Sequence, residues 1–136
     1  MRIRTALPIA AAICCLASLR STDPDTSALV ERGRYLVNDV AMCVQCHSPR
    51  DESGVLIESK LLTGAPMPLR SPFTGQLWAT KAPRLRGLNF LDESEAINLL
   101  CNGIAHRGNP PDPPMPPFRM TRDDARAVYA YLKSLR

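Results

Sequence analysis

Aromatic residues are scarce in this sequence: three Phe, three Tyr and one Trp among 136 residues. A chain of this length makes one domain, and so few rings leave it without material for a large self-sufficient core. Alternating apolar and polar runs long enough to read as strands are also lacking. That excludes a thioredoxin-like redox fold, which wants strands around its Cys pair. There is no long basic stretch, so nucleic-acid binding has no support. Formal charge is +4; loss of Met1–Ala17 would take Arg2 and Arg4 from the 17 Lys+Arg and, against 13 Asp+Glu, leave +2. The longest apolar run, Thr5 to Leu16, is short for a membrane-spanning helix. What the chain has in excess is proline, 13 residues. Few rings and many prolines describe a loop-rich helical protein that packs around something else.

The N-terminus reads as an export signal. Met1-Arg2-Ile3-Arg4 is a basic start, the Thr5–Leu16 run follows, and Cys15-Leu16-Ala17 is a small-x-small cleavage site. A retained membrane anchor is the alternative. Lipidation at Cys14 or Cys15 is disfavoured by the residues before them, Ile13 and Cys14. Residues 18–26 read as a polar leader or tether, and 27–136 as the folded domain.

Cys43-Val44-Gln45-Cys46-His47 organises that domain. Cys-x-x-Cys-His is the c-type haem attachment signature. Each thiol can add across one vinyl group of a haem, and the histidine that follows is held under the ring as proximal iron ligand. Two other uses of the thiols are a redox disulfide and zinc. Cys43, Cys46, Cys101 and His106 make a tolerable Cys3His zinc set, but one that leaves His47 unexplained. Two haem propionates would bring the charge of a processed chain near zero.

Around the motif the pattern is helical. A first helix is expected from about Ser27 to Cys46, with Asp25, Thr26 or Ser27 as N-cap. Its apolar face would hold Leu29, Val30, Tyr35, Leu36, Val37 and Val40, and Gly33 would permit a close helix crossing. Residues 48–82 show no clear element. Trp78, near their end, could line a haem pocket and give its indole N–H to a propionate, or pack with a backbone partner. Lys81, Arg84 and Arg86 could pair with propionates or steer an acidic partner. Pro83 leaves a carbonyl free to accept from His47 Nδ1–H, the usual anchor of a ligating histidine, and Leu85 would pack on the haem. A capping box predicts a second helix over Asp92–Cys101, with Asp92 as N-cap, Glu95 at N3 and Asn102-Gly103 as the stop. The last helix is expected over Arg122–Leu135 behind Thr121, with Ala125, Val128, Tyr129 and Leu132 on one face.

Six of the ten residues from Asn109 to Phe118 are proline, and Met115 lies among them. A thioether is a weak ligand, and a proline-stiffened loop lowers the entropic cost of presenting it. Met115 is therefore the first choice for the sixth iron ligand, with Met120, Met67 and His106 as rivals in that order.

Four segments together resemble a monohaem class I c-type cytochrome. They are Gly33–Val37 through His47, Ala82–Gly87, Leu100–Ile104, and Pro114-Met115-Pro116 through Leu135. The chain is especially similar to the cytochrome domains of bacterial membrane-bound alcohol and aldehyde dehydrogenases. This resemblance implies an all-α cytochrome c fold, with N- and C-terminal helices crossing around one covalent haem c and long loops. It makes Cys43 and Cys46 thioether sites, His47 the proximal ligand and Met115 the distal ligand. Arg84 departs from the asparagine common at its position. The expected role is a non-enzymatic electron carrier using Fe(III)/Fe(II) cycling, or a haem subunit of an exported oxidoreductase complex. Its partners would be redox proteins such as a dehydrogenase or a terminal oxidase. Its place would be the bacterial periplasm, with membrane attachment only if the N-terminal segment is retained.

Overall fold

The computed structural model describes residues 24–105 and 108–136. The expected signal segment 1–17, most of the 18–26 leader, and His106 lie outside the described residues. Residues 24–26, read as the end of that leader, belong to the first helix.

Two helices at opposite ends of the described chain carry the fold. Helix α1 (Pro24–Tyr35) begins with a proline, whose missing N–H costs nothing in a first turn, followed by Asp25 where the helix dipole favours a carboxylate. The last helix, Arg122–Ser134, begins behind Thr121, whose hydroxyl accepts from the Asp124 N–H at 3.2 Å. These two pack on each other more extensively than any other pair of elements, and they meet at Gly33. A Cβ at residue 33 would lie 2.6 Å from the Ala127 carbonyl carbon, 2.7 Å from Tyr131 Cβ, and closer still to the Ala127 carbonyl oxygen. The backbones touch because residue 33 has no side chain. The Arg32–Asp124 ion pair (2.9 Å) and an Asn38 Nδ2–H bond to the Tyr131 hydroxyl (3.3 Å) flank the crossing.

The expectation of one continuous helix to Cys46 is corrected. After Tyr35 the backbone widens into a π-helical turn, Leu36–Val40. Ala41 N–H closes it on the Leu36 carbonyl at 2.8 Å. Met42 then takes φ +52°, and Cys43 N–H donates to the Val37 carbonyl at 2.8 Å. The extra residue in the turn keeps Leu36 and Val37 buried while redirecting the chain into a separate helical turn, α2 (Val44–His47). Tyr35 and Val40, expected on the apolar face, are about half exposed.

Residues 48–82 hold more structure than their sequence advertises. Two-residue strands β1 (Ala65–Pro66) and β2 (Lys81–Ala82) pair antiparallel, Ala65 opposite Ala82. Strands this short show no period in a sequence. The fold stays mostly helical. Helix α3 (Glu93–Asn102) has the expected capping box: Asp92 Oδ1 accepts from Glu95 N–H at 2.9 Å and Glu95 Oε2 from Asp92 N–H at 3.0 Å. It stops at Gly103, φ +69°. Arg126 of the last helix, here α4, reaches Glu93 at 3.4 Å. Leu36, Val37, Leu100, Val128 and Leu132 share one core. Ala127, which the periodicity of α4 did not select, is buried by its approach to Gly33. Among the described residues no helix is long and apolar enough to cross a membrane.

Candidate functional site

The Cys43–His47 turn is clamped by the segment that follows it. Within the turn, His47 N–H donates to the Cys43 carbonyl at 2.9 Å. The His47 carbonyl in turn accepts from Gly64 N–H at 2.8 Å. Buried Ser48 Oγ accepts from Leu62 N–H at 2.9 Å. Leu62, at φ +60° and 2% exposed, passes the restraint on. Its carbonyl accepts from both Leu85 N–H and Arg86 N–H at 2.9 Å. The 83–86 stretch is therefore fixed to the same residues that fix the motif. Gly87 N–H ties it to α4 through the Leu132 carbonyl, also at 2.9 Å.

The result is a hydrogen bond of 2.8 Å between His47 Nδ1 and the Pro83 carbonyl. A carbonyl only accepts, so Nδ1 carries the proton and Nε2 keeps a lone pair. Burial lowers the pKa of His47 below its ordinary value, partly opposed by the Pro83 bond. The imidazole is therefore neutral at neutral pH, which is the form that ligates a metal. Burial, and secondarily the nearby Cys46, push the Cys43 thiol up to about 11. A thiol held protonated by burial is a poor redox nucleophile.

A cavity of about 520 Å³ opens beside the motif, within the roughly 300–1,000 Å³ of small-molecule and cofactor pockets. Cys43, Cys46, His47, Pro83, Leu85 and Met115 all line it. So do Leu88, Leu100, Val128 and Leu132, which belong to the core. Two thiols, an imidazole with a free nitrogen and a thioether, set in apolar walls, are the donor set that a covalent haem requires. The residues present fit that group. Met115 arrives on a loop tied back to the strand side: Ala79 N–H donates to the Pro113 carbonyl at 2.7 Å.

Several sequence expectations are corrected here. Trp78 is not in the cavity wall, and its indole N–H donates to the Leu69 carbonyl at 2.9 Å within its own loop. Met120 is not in the wall either. It packs against the core, with its N–H on the Leu100 carbonyl at 2.9 Å. Met67 is in the wall, brought there by the β1–β2 pairing just before it, so of these two methionines it is Met67 that shares the cavity with Met115. Of Lys81, Arg84 and Arg86, only Lys81 lines the cavity. Arg84 turns back to donate to the Arg86 carbonyl at 2.9 Å. Cys101 packs against the core and does not meet Cys43 and Cys46 at the cavity. Among the described residues no three His, Cys, Asp or Glu side chains group to hold a metal ion; His106, the fourth member of the zinc set, lies outside them.

Sequence reasoning missed Ser48 and Leu62 as the clamp, and Asp112 and Phe90 as wall residues. A serine directly after the motif carried no signal by itself, because its partner lies fourteen residues away. Phe90 could have been suspected as one of only three phenylalanines.

Comparison with known proteins gives concordant findings. The sequence model of the cytochrome c family matches residues 30–136. The B subunit of nicotinate dehydrogenase from Pseudomonas putida is 32% identical over 123 residues, which cover 83% of this chain and 10% of that protein. A diheme cytochrome c-type protein of Cereibacter sphaeroides is 47% identical over 38 residues, covering 28% of this chain and 13% of that protein. The matches thus cover only 10% and 13% of the length of these two relatives.

Proposed function

The chain belongs to the cytochrome c family, and from that premise we propose that it is an exported, monohaem electron carrier with His47 and Met115 as axial iron ligands. Haem binding and electron transfer are the business of the family. The single observation that carries the finer reading is the buried His47, its Nδ1–H committed to Pro83 at 2.8 Å, lining one cavity with Cys43, Cys46 and Met115.

Bound there, a haem supplies an iron that takes or gives one electron between its ferric and ferrous states. The remaining work falls to this chain's residues. Cys43 and Cys46 would hold the ring by thioethers, presented together by the turn between them. The Pro83 carbonyl fixes the tautomer and plane of His47 and raises its basicity. The prolines around Met115 limit its loop's freedom, so a weak thioether stays in reach. Apolar walls from α3 and α4 exclude water, and His/Met ligation raises the potential. Lys81 is the cation at the wall for a propionate. No open site for a substrate is needed, so the chain acts as a carrier and not as an enzyme. The export signal read in residues 1–17 supports a periplasmic location, soluble or N-terminally anchored.

A second reading, the haem subunit of an exported oxidoreductase, is favoured by the nicotinate dehydrogenase relative, whose B subunit matches 83% of this chain. In that reading the partner is a dehydrogenase held in a stable complex; a terminal oxidase is an alternative acceptor for a free carrier.

The test is a redox titration of the mature protein together with peptide mass mapping. One haem per chain on the peptide holding Cys43 and Cys46, titrating as a single one-electron couple, is expected. Absence of a covalent haem, or a two-electron couple, would overturn the reading.

A further inference from the structure

Between β1 and β2 the chain makes an excursion over residues 67–80, closed at its base by Met67 N–H on the Thr80 carbonyl at 2.9 Å. Its own polar groups order it. Trp78 Nε1–H donates to the Leu69 carbonyl at 2.9 Å. The Ser71 hydroxyl donates to Gln76 Oε1 at 2.8 Å and accepts from Phe73 N–H at 3.0 Å. Yet this ordered loop holds Leu69, Phe73 and Leu77 out at 59%, 68% and 70% exposure. Single exposed apolar residues are ordinary, but three large ones within nine residues call for a cover.

Charge says what kind. Residues 59–91 contain Lys60, Arg70, Lys81, Arg84 and Arg86 and no Asp or Glu. Arg70, Lys81 and Arg84 are exposed. The excursion is also continuous with the cavity, since Met67, Ala79 and Lys81 line it.

We propose that the 67–80 excursion is the docking surface for a redox partner protein that presents an apolar patch rimmed by carboxylates. The inference rests on the electron-transfer reading and names the partner's chemistry. Phe73, Leu69 and Leu77 supply the desolvated anchor, and Arg70 and Arg84, outside the cavity wall, steer the encounter. A partner seated there lies against the wall of the haem cavity. A protein is favoured over a lipid surface because an electron exchanged through that wall needs a redox group on the other side.

The test uses holoprotein, wild type and the triple variant Leu69→Ser, Phe73→Ser, Leu77→Ser, with Arg70→Glu as a second variant. Electron exchange is followed at the haem absorbance with two probes: ascorbate, and the washed membrane and periplasmic fractions of the source organism lacking its own copy of the protein. The triple variant should exchange electrons with the fractions at least tenfold more slowly, with an unchanged spectrum and unchanged reduction by ascorbate. Arg70→Glu should slow exchange at low salt only. Wild-type rates in both variants would overturn the proposal. So would vesicles containing phosphatidylglycerol that bind wild type but not the variant while the exchange rate stays the same, which would assign the surface to a membrane. A wild-type dimer lost in the variant, again at unchanged rate, would assign it to a second copy and likewise overturn it. Failure of wild type to be reduced reversibly by either ascorbate or dithionite would instead sink the electron-transfer reading itself.

Discussion

Gly33→Ala is expected to destabilise the holoprotein by about 3 kcal/mol or more, although alanine is the better helix former by about 1 kcal/mol. The added methyl would meet the Ala127 carbonyl and Tyr131 Cβ, the latter at 2.7 Å. Both belong to a helix backbone and its first side-chain atom, so neither can rotate aside. Helices α1 and α4 must separate, and with them the Arg32–Asp124 pair and the packing around Val37 and Val128. Overpacking of this kind costs about 1–3 kcal/mol in ordinary cores and more where backbone must move. Gly54→Ala is the control. Nothing lies within 4 Å of a Cβ there, so only its φ of +83° opposes the change, at about 1–2 kcal/mol. Denaturant unfolding of the two variants, read by haem absorbance and circular dichroism, checks the difference. Equal destabilisation would mean that the crossing does not depend on residue 33.

The double variant Cys43→Ser, Cys46→Ser is expected to emerge without retained haem and without cooperative folding. The cavity is not a pocket on a finished core: Leu88, Ala96, Leu100, Val128 and Leu132 face it and are core residues at the same time. Without the group these side chains line an open cavity of about 520 Å³ and lose packing partners that a small domain, with only about 5–15 kcal/mol of total stability, needs. Tethering by two thioethers also makes the group's binding intramolecular, so its stabilisation does not fall on dilution. Denaturing electrophoresis with haem staining and a thermal melt by circular dichroism check both halves. A colourless double variant that melts cooperatively with native helix content would show a self-sufficient core.

Much of this was legible in the sequence because it is local. Asp92 with Glu95, Thr121 before its helix and Gly103 after another are contacts within four residues, and each stands where the pattern put it. The Cys43–His47 motif and Pro83 were readable because their chemistry constrains residue type and spacing. What escaped is long-range. The π-helical turn at Leu36–Val40 and the positive φ of Met42 occur with no Gly or Pro to announce them. They serve the need to bury Val37 and still bring Cys43 to the cavity. Trp78 found its partner in the backbone of its own loop, a contact that composition cannot rank against a propionate. Met67 and Met120 exchanged places because one follows a strand that crosses to the cavity and the other is tied to Leu100. Both facts belong to topology, and a methionine looks the same in either setting.

The measurement that bears most directly on the account is the absorbance spectrum of the purified, matured protein, oxidised and reduced, for wild type, Met115→Ala and Met67→Ala. Both methionines line the cavity, so the comparison separates ligand from neighbour. Wild type and Met67→Ala are predicted to show a low-spin covalent haem with a thioether-to-ferric-iron charge-transfer band. Met115→Ala should lose that band, and its potential should fall by a substantial part of the roughly 0.8 V that axial ligands span. A Met115→Ala spectrum identical to wild type would contradict the ligand assignment, and a colourless, properly matured wild type would contradict the account as a whole.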